Sequence, residues 1–243
     1  MNRLIKNMIK GLIKSGLKNK ETRDHWLKDT LKKIPEGSKI LDAGAGELRN
    51  KKLCTHLNYI SQDLCQYDGR GNGEGLQTKV WDTQKIDIIG NIENISEENG
   101  SFDVILCSEV LEHLPNPVNA IKEFQRLLKK DGVLIITAPF CSLTHFAPYH
   151  FSTGFNRYYY EHHLKDFNFK IEEITANGNY FEYLSQEALR IPDIVDAYTS
   201  KKASIVDRFL ILLTLRMLHK FSKHDTGSSE ILCYGYHVLA RKQ

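Results

Sequence analysis

Met1, Leu4, Ile5, Met8, Ile9, Leu12, Ile13 and Leu17 recur every three or four positions, the period of one helix face. Lys6, Lys10, Lys14 and Lys18 fall on the opposite side, so the first segment reads as a basic amphipathic helix. Two readings of it stand: packing on its own domain with the lysines in water, or peripheral contact of residues 1–18 with an anionic membrane surface. A second helix is predicted over residues 21–33, stopping at the turn signal Pro35-Glu36-Gly37. From there short apolar runs alternate with helical periods. Strands are predicted at 39–41, 59–62, 87–89 and 102–107, with a helix over 48–57. Val118, Ile121, Phe124, Leu127 and Leu128 mark a helix over 118–130, which Asp131-Gly132 should end, and VLIIT at 133–137 is a buried strand. Such alternation means a doubly wound α/β domain built on a parallel sheet.

After Thr137 the rhythm changes. Residues 138–163 are dense in aromatics and histidines, 169–174 suit a strand, 180–222 are largely helical, and 231–240 form a long last strand. No repeat and no linker divides the chain. It is expected to be one domain over 1–243: helices at 1–35, a core at 36–175, a helical insertion at 176–226 and the last strand at 230–242.

Composition narrows the class. With 41% hydrophobic and 26% charged residues in 243, the chain is an ordinary globular one, long enough for a full core. Its apolar runs, such as 209–213, fall far short of the roughly 20 residues that span a bilayer. No secretory signal follows the basic start, so the expected place is the cytoplasm, near a membrane if the first helix touches one. Five scattered cysteines without a C-x-x-C pair argue against a disulfide framework or a structural zinc. Residues 1–23 hold seven Lys or Arg against one Glu, and the remainder holds 26 basic against 29 acidic residues. The body therefore lacks a broad basic surface, and no nucleic-acid partner is expected.

The strand at 39–41 runs into Asp42-Ala43-Gly44-Ala45-Gly46, small residues that let backbone approach a ligand at the carboxyl edge of the sheet. The third glycine of a dinucleotide fingerprint would fall at Arg49, which counts against a dinucleotide. Asp63, 21 residues after Asp42, stands where an acid accepts both hydroxyls of a ribose, or else caps a turn. Asn91-Ile92 pairs a side-chain amide with a backbone N–H, which suits an adenine edge or a plain polar turn.

ILDAGAG, YISQDL, GNI and SFDVILCSEVLEHLPNP, in that order, resemble the class I S-adenosylmethionine-dependent methyltransferases, specifically the type 11 group. PYHF and GFNRYYYEHHL after the fifth strand are similar to a subset of it. The resemblance implies a Rossmann-like seven-stranded sheet with a reversed last strand and a helical insertion before it. It implies S-adenosylmethionine as cofactor and S-adenosylhomocysteine as product. Asp42, Ala43, Gly44, Ala45 and Gly46 would then pack on the methionine part, Asp63 and Leu64 on the ribose, and Asn91 and Ile92 on the adenine. Cys107 and Ser108 would lie near the sulfonium. Asn91 departs from the usual Asp, and its carbonyl can still accept from the adenine amine.

Methyl transfer needs alignment of donor and acceptor, and a hydroxyl acceptor must also lose a proton. Glu109, Glu112 and His113 would share a helical face, yet no second cluster partners them in the sequence, so no metal is expected. The segment 138–151 leaves the sheet at its carboxyl edge. His150 is the first candidate for the base and His145 the second, with Tyr149 and Arg157 orienting the acceptor; structural histidines are the alternative. The glycine ladder at 68–75 reads as a mobile loop between strands two and three, a connector or a lid.

The leading expectation is an O-methyltransferase acting on a small-molecule or glycan acceptor, in bacterial surface-polysaccharide biosynthesis by resemblance. The alternatives are an RNA or protein methyltransferase, or a non-catalytic methyltransferase-like binding module. FLILLTLRML at 209–218 is apolar nearly all round, so it is either buried or a contact of a homo-oligomer through 180–222.

Overall fold

A seven-stranded sheet orders the chain, and its strand order, β3-β2-β1-β4-β5-β7-β6, reverses direction at β1. The computed structural model describes Gly11 and residues 16–243, so the amphipathic segment at the start lies almost wholly outside the described residues. The strands are β1 (Lys39–Ala43), β2 (Asn58–Asp63), β3 (Ile88–Ile89), β4 (Phe102–Ser108), β5 (Leu128–Pro139), β6 (Phe169–Asn177) and β7 (Gly235–Lys242). Helices α1 (Lys18–Leu31), α2 (Pro117–Leu127), α3 (Arg157–Asp166), α4 (Tyr180–Tyr198) and α5 (Ile205–Ser222) complete the order. β1 runs parallel to both β2 and β4, and β4 parallel to β5. β7 runs antiparallel to β5, from Pro139 opposite Gly235 to Val133 opposite Arg241. The doubly wound sheet with a reversed last strand is thus as expected.

The chain divides into two units, His25–Thr175 with Gly235–Gln243, and Met1–Asp24 with Ala176–Tyr234. In the first, Leu27 and Leu31 of α1 and Ile34 bury against Ile40, Val104, Leu106 and Ile135, alternate residues of three strands. α2 buries Ala120, Ile121, Phe124 and Leu127, the helical stripe its spacing announced. In the second, α4 is capped by Asn179 and α5 by a capping box between Ser204 and Asp207. Leu215 and Ala188 pack between these two helices, while Phe209, Leu210, Leu213 and Met217 stay exposed. The run at 209–218 is therefore buried on one side only, at Leu215 and Leu218. No helix among the described residues is long and apolar enough to cross a membrane.

Three sequence expectations needed correction. Residues 48–57 form turns with one short 3-10 turn, Lys51–Leu53, instead of a helix, because Leu48 takes a left-handed φ of 59°. The helix expected over 118–130 ends at Leu127. Leu128 already pairs with Phe102, and Asp131-Gly132 makes an irregularity inside β5, not a helix cap. The last strand begins at Gly235, four residues later than its apolar run. A Cβ there would lie 2.3 Å from the Ala138 carbonyl, so glycine permits the first contact with β5.

Candidate active site

Ligands of doubly wound sheets sit beyond the carboxyl ends of the strands, where the order reverses, here at β1 and β4. A cleft of about 710 Å³, its mouth included, opens at that edge. Gly44, Asp63, Leu64, Asn91 and Ile92 line it, as do Glu109, Val110, His113, Phe146 and Tyr149.

The glycine turn is held by the end of β2. The Gly44 and Ala45 N–H groups donate to the Gln62 carbonyl, both at 2.9 Å, and Gly46 N–H donates to Asp63 Oδ2 at 2.9 Å. Cys65 N–H donates to Asp63 Oδ1 at 2.8 Å, so this carboxylate is fixed by backbone from both sides with its remaining lone pairs toward the cleft. Gly44 has φ 77°, and a Cβ would come within 2.4 Å of the Val110 side chain. Ala43 and Ala45 are buried beneath the turn. Asn91 makes a local turn, its side-chain carbonyl accepting from Glu93 N–H at 3.0 Å, which leaves one lone pair on that oxygen for a ligand.

Asp42 does not reach the cleft. It is buried under the turn, where Tyr59 Oη donates to it at 2.6 Å, and desolvation pushes its carboxyl up to about 6 from the ordinary 3.8. The folded state thus holds the proton more tightly than the unfolded chain. Its contribution to stability is greatest below pH 4 and is lost as pH rises through 6. Asp42→Asn is expected to remove this slope. Compared by urea unfolding, the variant should gain on the order of 2–3 kcal/mol relative to the native protein between pH 4 and pH 7.

The end of β4 also differs from expectation. Cys107 is fully buried, its thiol pushed well up by desolvation, and Ser108 Oγ lies 2.8 Å from Thr137 Oγ1. Neither lines the cleft. Glu109 and Val110 do so instead, because Glu109 turns the chain at φ 57° while its N–H donates to the Thr137 carbonyl at 2.7 Å.

The glycine ladder is docked by its backbone onto the segment after β5. Asn72 N–H donates to the Ala147 carbonyl at 3.0 Å, Leu76 N–H to Thr144 at 3.0 Å and Phe146 N–H to Leu76 at 3.0 Å. Cβ atoms at Gly71 and Gly75 would stand 2.0 and 2.7 Å from the carbonyls of Ala147 and Thr144. Alternating glycines here permit close approach of two backbones, which corrects the expectation of a mobile loop. The joined segments bring Tyr67, Trp81 and Phe146 together, with ring centres 4.6 Å apart for Tyr67–Phe146 and 5.3 Å for Trp81–Phe146. All three rings line the cleft. A tryptophan inside a glycine-rich polar loop was the signal available in the sequence for this wall.

Of the four residues proposed for chemistry, only Tyr149 lines the cleft, its Oη donating to Gln66 Oε1 at 3.4 Å. Arg157 is spent on Glu161, through Nε at 2.9 Å and Nη2 at 2.5 Å, at the exposed start of α3. His145 and His150 stand beside His113, with ring centres 4.7 and 6.1 Å from it. His150 Nε2 lies 3.1 Å from Ser142 Oγ. His113 is the histidine that reaches the cleft. Burial and the neighbouring His145 hold it down at about 3, against the opposing pull of the Tyr149 carbonyl.

A family model described as a methyltransferase domain matches residues 18–174. Two curated relatives, each named ubiquinone biosynthesis O-methyltransferase, match over 108 residues. The one from Actinobacillus pleuropneumoniae is 32% identical and the one from Haemophilus ducreyi 50%. Each match covers 42% of this chain and 45% of the relative, so the chain spans about half the length of the curated relatives it matches. A S-adenosylmethionine-dependent methyltransferase from Archaeoglobus fulgidus shares the fold at 14% identity and a TM-score of 0.53, over 91% of this chain and 94% of that one.

Proposed function

We propose that this chain, which belongs to the methyltransferase domain family and takes S-adenosylmethionine as its cofactor, moves a methyl group onto a hydroxyl oxygen of a small ring-bearing acceptor. The residues present fit the cofactor. Gly44 and Gly46 leave a hollow that Cβ atoms would fill, 2.4 Å from Val110 and 3.1 Å from Trp81. The Asp63 carboxylate, set by two backbone N–H groups, is an acceptor for ribose hydroxyls, and Leu64, Asn91 and Ile92 continue the same wall. When bound, the cofactor supplies a methyl group already activated by the sulfonium, so the protein's task is mainly alignment and exclusion of water.

The acceptor class rests on one observation. Tyr67, Trp81, Phe146 and Tyr149 give the cleft flat apolar faces, while Glu109 and His113 add polar groups to the same cleft. Aromatic faces receive the face of a ring, and polar tips bind its hydroxyls. Oxygen as the methylated atom is supported by the names of the curated relatives. Their printed association with ubiquinone biosynthesis favours a hydroxylated aromatic ring beside the sugar acceptor that the sequence resemblance suggested.

The test is incubation with methyl-labelled S-adenosylmethionine and four acceptor sets: dihydroxybenzenes, nucleotide sugars and glycans, primary amines, and RNA. Alkali-stable label on a hydroxylated ring is the expected result. Label confined to amines or RNA would replace this reading, and binding of S-adenosylhomocysteine without transfer to any set would favour a binding module.

A further inference from the structure

α5 has two apolar sides, and its neighbour α4 covers one of them. Leu215 packs on Ala188 with Ile211 and Leu212 around it, and Leu218 is buried too. On the other side Ile205, Phe209, Leu213, Met217 and Phe221 recur every fourth residue, the spacing of a single ridge along a helix. Val206 and Leu210 widen it. All of these side chains stand in water: Ile205 is 88% exposed, and Leu213 at the middle of the ridge is still 47% exposed. From Ile205 to Phe221 the ridge runs about 24 Å at the rise of an α-helix.

A ridge of this size is not ordinary surface. It leaves on the order of 700 Å² on apolar residues in water, above the roughly 300–600 Å² of the largest patch on a typical monomer. The same area is close to the about 800 Å² that each partner contributes to a stable protein interface. A long strip one helix wide is also the shape that a second helix covers.

The order of side chains along the ridge suits a copy of itself. Phe209 and Met217 stand at equal distances on either side of Leu213, and Ile205 and Phe221 at equal distances beyond them. Laid antiparallel across a twofold axis at Leu213, Phe209 faces Met217 of the partner subunit, and Ile205 faces Phe221 of the partner subunit. Isologous contact requires this reciprocity, with each residue meeting the one that meets it. No two phenylalanines collide, and a thioether against an aromatic ring is a favourable pair. Lys220 comes level with the turn that holds the partner's Asp207, so the base at one end of the ridge approaches the acid at the other.

We infer that α5 is the surface by which two copies of this chain pair, ridge on ridge, about a twofold axis at Leu213. The expectation of an oligomer contact through 180–222 is thereby narrowed to one face of one helix. The pairing is independent of the methyl-transfer reading, since no residue of α5 lines the cleft.

Sedimentation equilibrium of the full chain between about 1 and 100 µM should show a reversible dimer. Leu213→Glu sets two carboxylates against each other at the axis and should weaken dimerisation at least about 100-fold. Its S-adenosylhomocysteine affinity should match that of the native protein, which also shows that it folds. Under mild oxidation Leu213→Cys should link to its own copy. Phe221→Cys should not, because the residue facing it is Ile205. A monomer throughout the concentration range, a dimer untouched by Leu213→Glu, or equal linking of the two cysteine variants would overturn the inference. Sedimentation of a monomer with vesicles of phosphatidylcholine and phosphatidylglycerol, abolished by Leu213→Glu, would overturn it in favour of a lipid surface.

Discussion

Asp63→Ala is expected to weaken S-adenosylmethionine and S-adenosylhomocysteine binding by at least about 100-fold. The carboxylate accepts from Gly46 and Cys65 N–H groups at 2.9 and 2.8 Å and lines the cleft, so it fixes the glycine turn and brings charge to the cleft wall. A hydrogen bond to a charged group contributes about 1.5–3 kcal/mol, and two ribose hydroxyls together account for roughly 10²- to 10⁴-fold in affinity. Loss of the two backbone bonds adds a looser turn to the same variant. Asp63→Asn should fall between, because an amide can still accept through one atom only. Calorimetric titration of both variants, with circular dichroism as the control for folding, measures this. Binding within threefold of the native protein in Asp63→Ala would sink the assignment of the cofactor site.

Gly71→Ala should separate the roof of the cleft from its base. Gly71 has φ 52°, and its added methyl would stand 2.0 Å from the Ala147 carbonyl, an atom that also accepts from Asn72 N–H. Something must move, and the cheapest movement is detachment of the glycine ladder from the segment that carries Phe146. A local cost of about 2–3 kcal/mol is expected. Hydrogen exchange should then show faster exchange of the Asn72, Leu76 and Phe146 amides by roughly 30- to 100-fold, with β4 and β5 unchanged. Because Asp63 and the glycine turn lie outside the ladder, cofactor affinity should change by only a few-fold. The acceptor KM should rise by about tenfold or more. Unchanged exchange at these three amides would show that the contact yields without opening.

The sheet was legible in the sequence wherever burial was continuous. Strands β4 and β5 read directly as VILC and VLIIT, and α2 read from its three- and four-residue spacing. What failed were boundaries set by contacts from elsewhere. The helix expected at 48–57 lost to a left-handed Leu48, and the expected glycine cap at Gly132 lost to the pairing of Leu128 with Phe102. Local propensity counts for only tenths of a kcal/mol per residue, and a strand register outweighs it. At the site, the places of Gly44, Asp63 and Asn91-Ile92 in the cleft wall were legible, because the carboxyl ends of the strands are where such small and polar residues face a ligand. Cys107 and Ser108 were misplaced by two positions, since nothing in SEVLEH announces that Glu109 turns the chain.

By itself, the sequence determined the sheet and the carboxyl-edge cleft, because these follow from local periodicity and from glycines and acids at fixed offsets, while the cofactor class came from the resemblance of its ordered motifs to a known family. Only the tertiary structure decided what covers the cleft and what stands beside it. The ladder glycines are meaningful because the backbone of Ala147 comes to meet them, and His113 gains His145 because two N–H groups fold one segment over another. Such neighbours are chosen by backbone hydrogen bonds between distant segments, whose partners no residue type announces in advance.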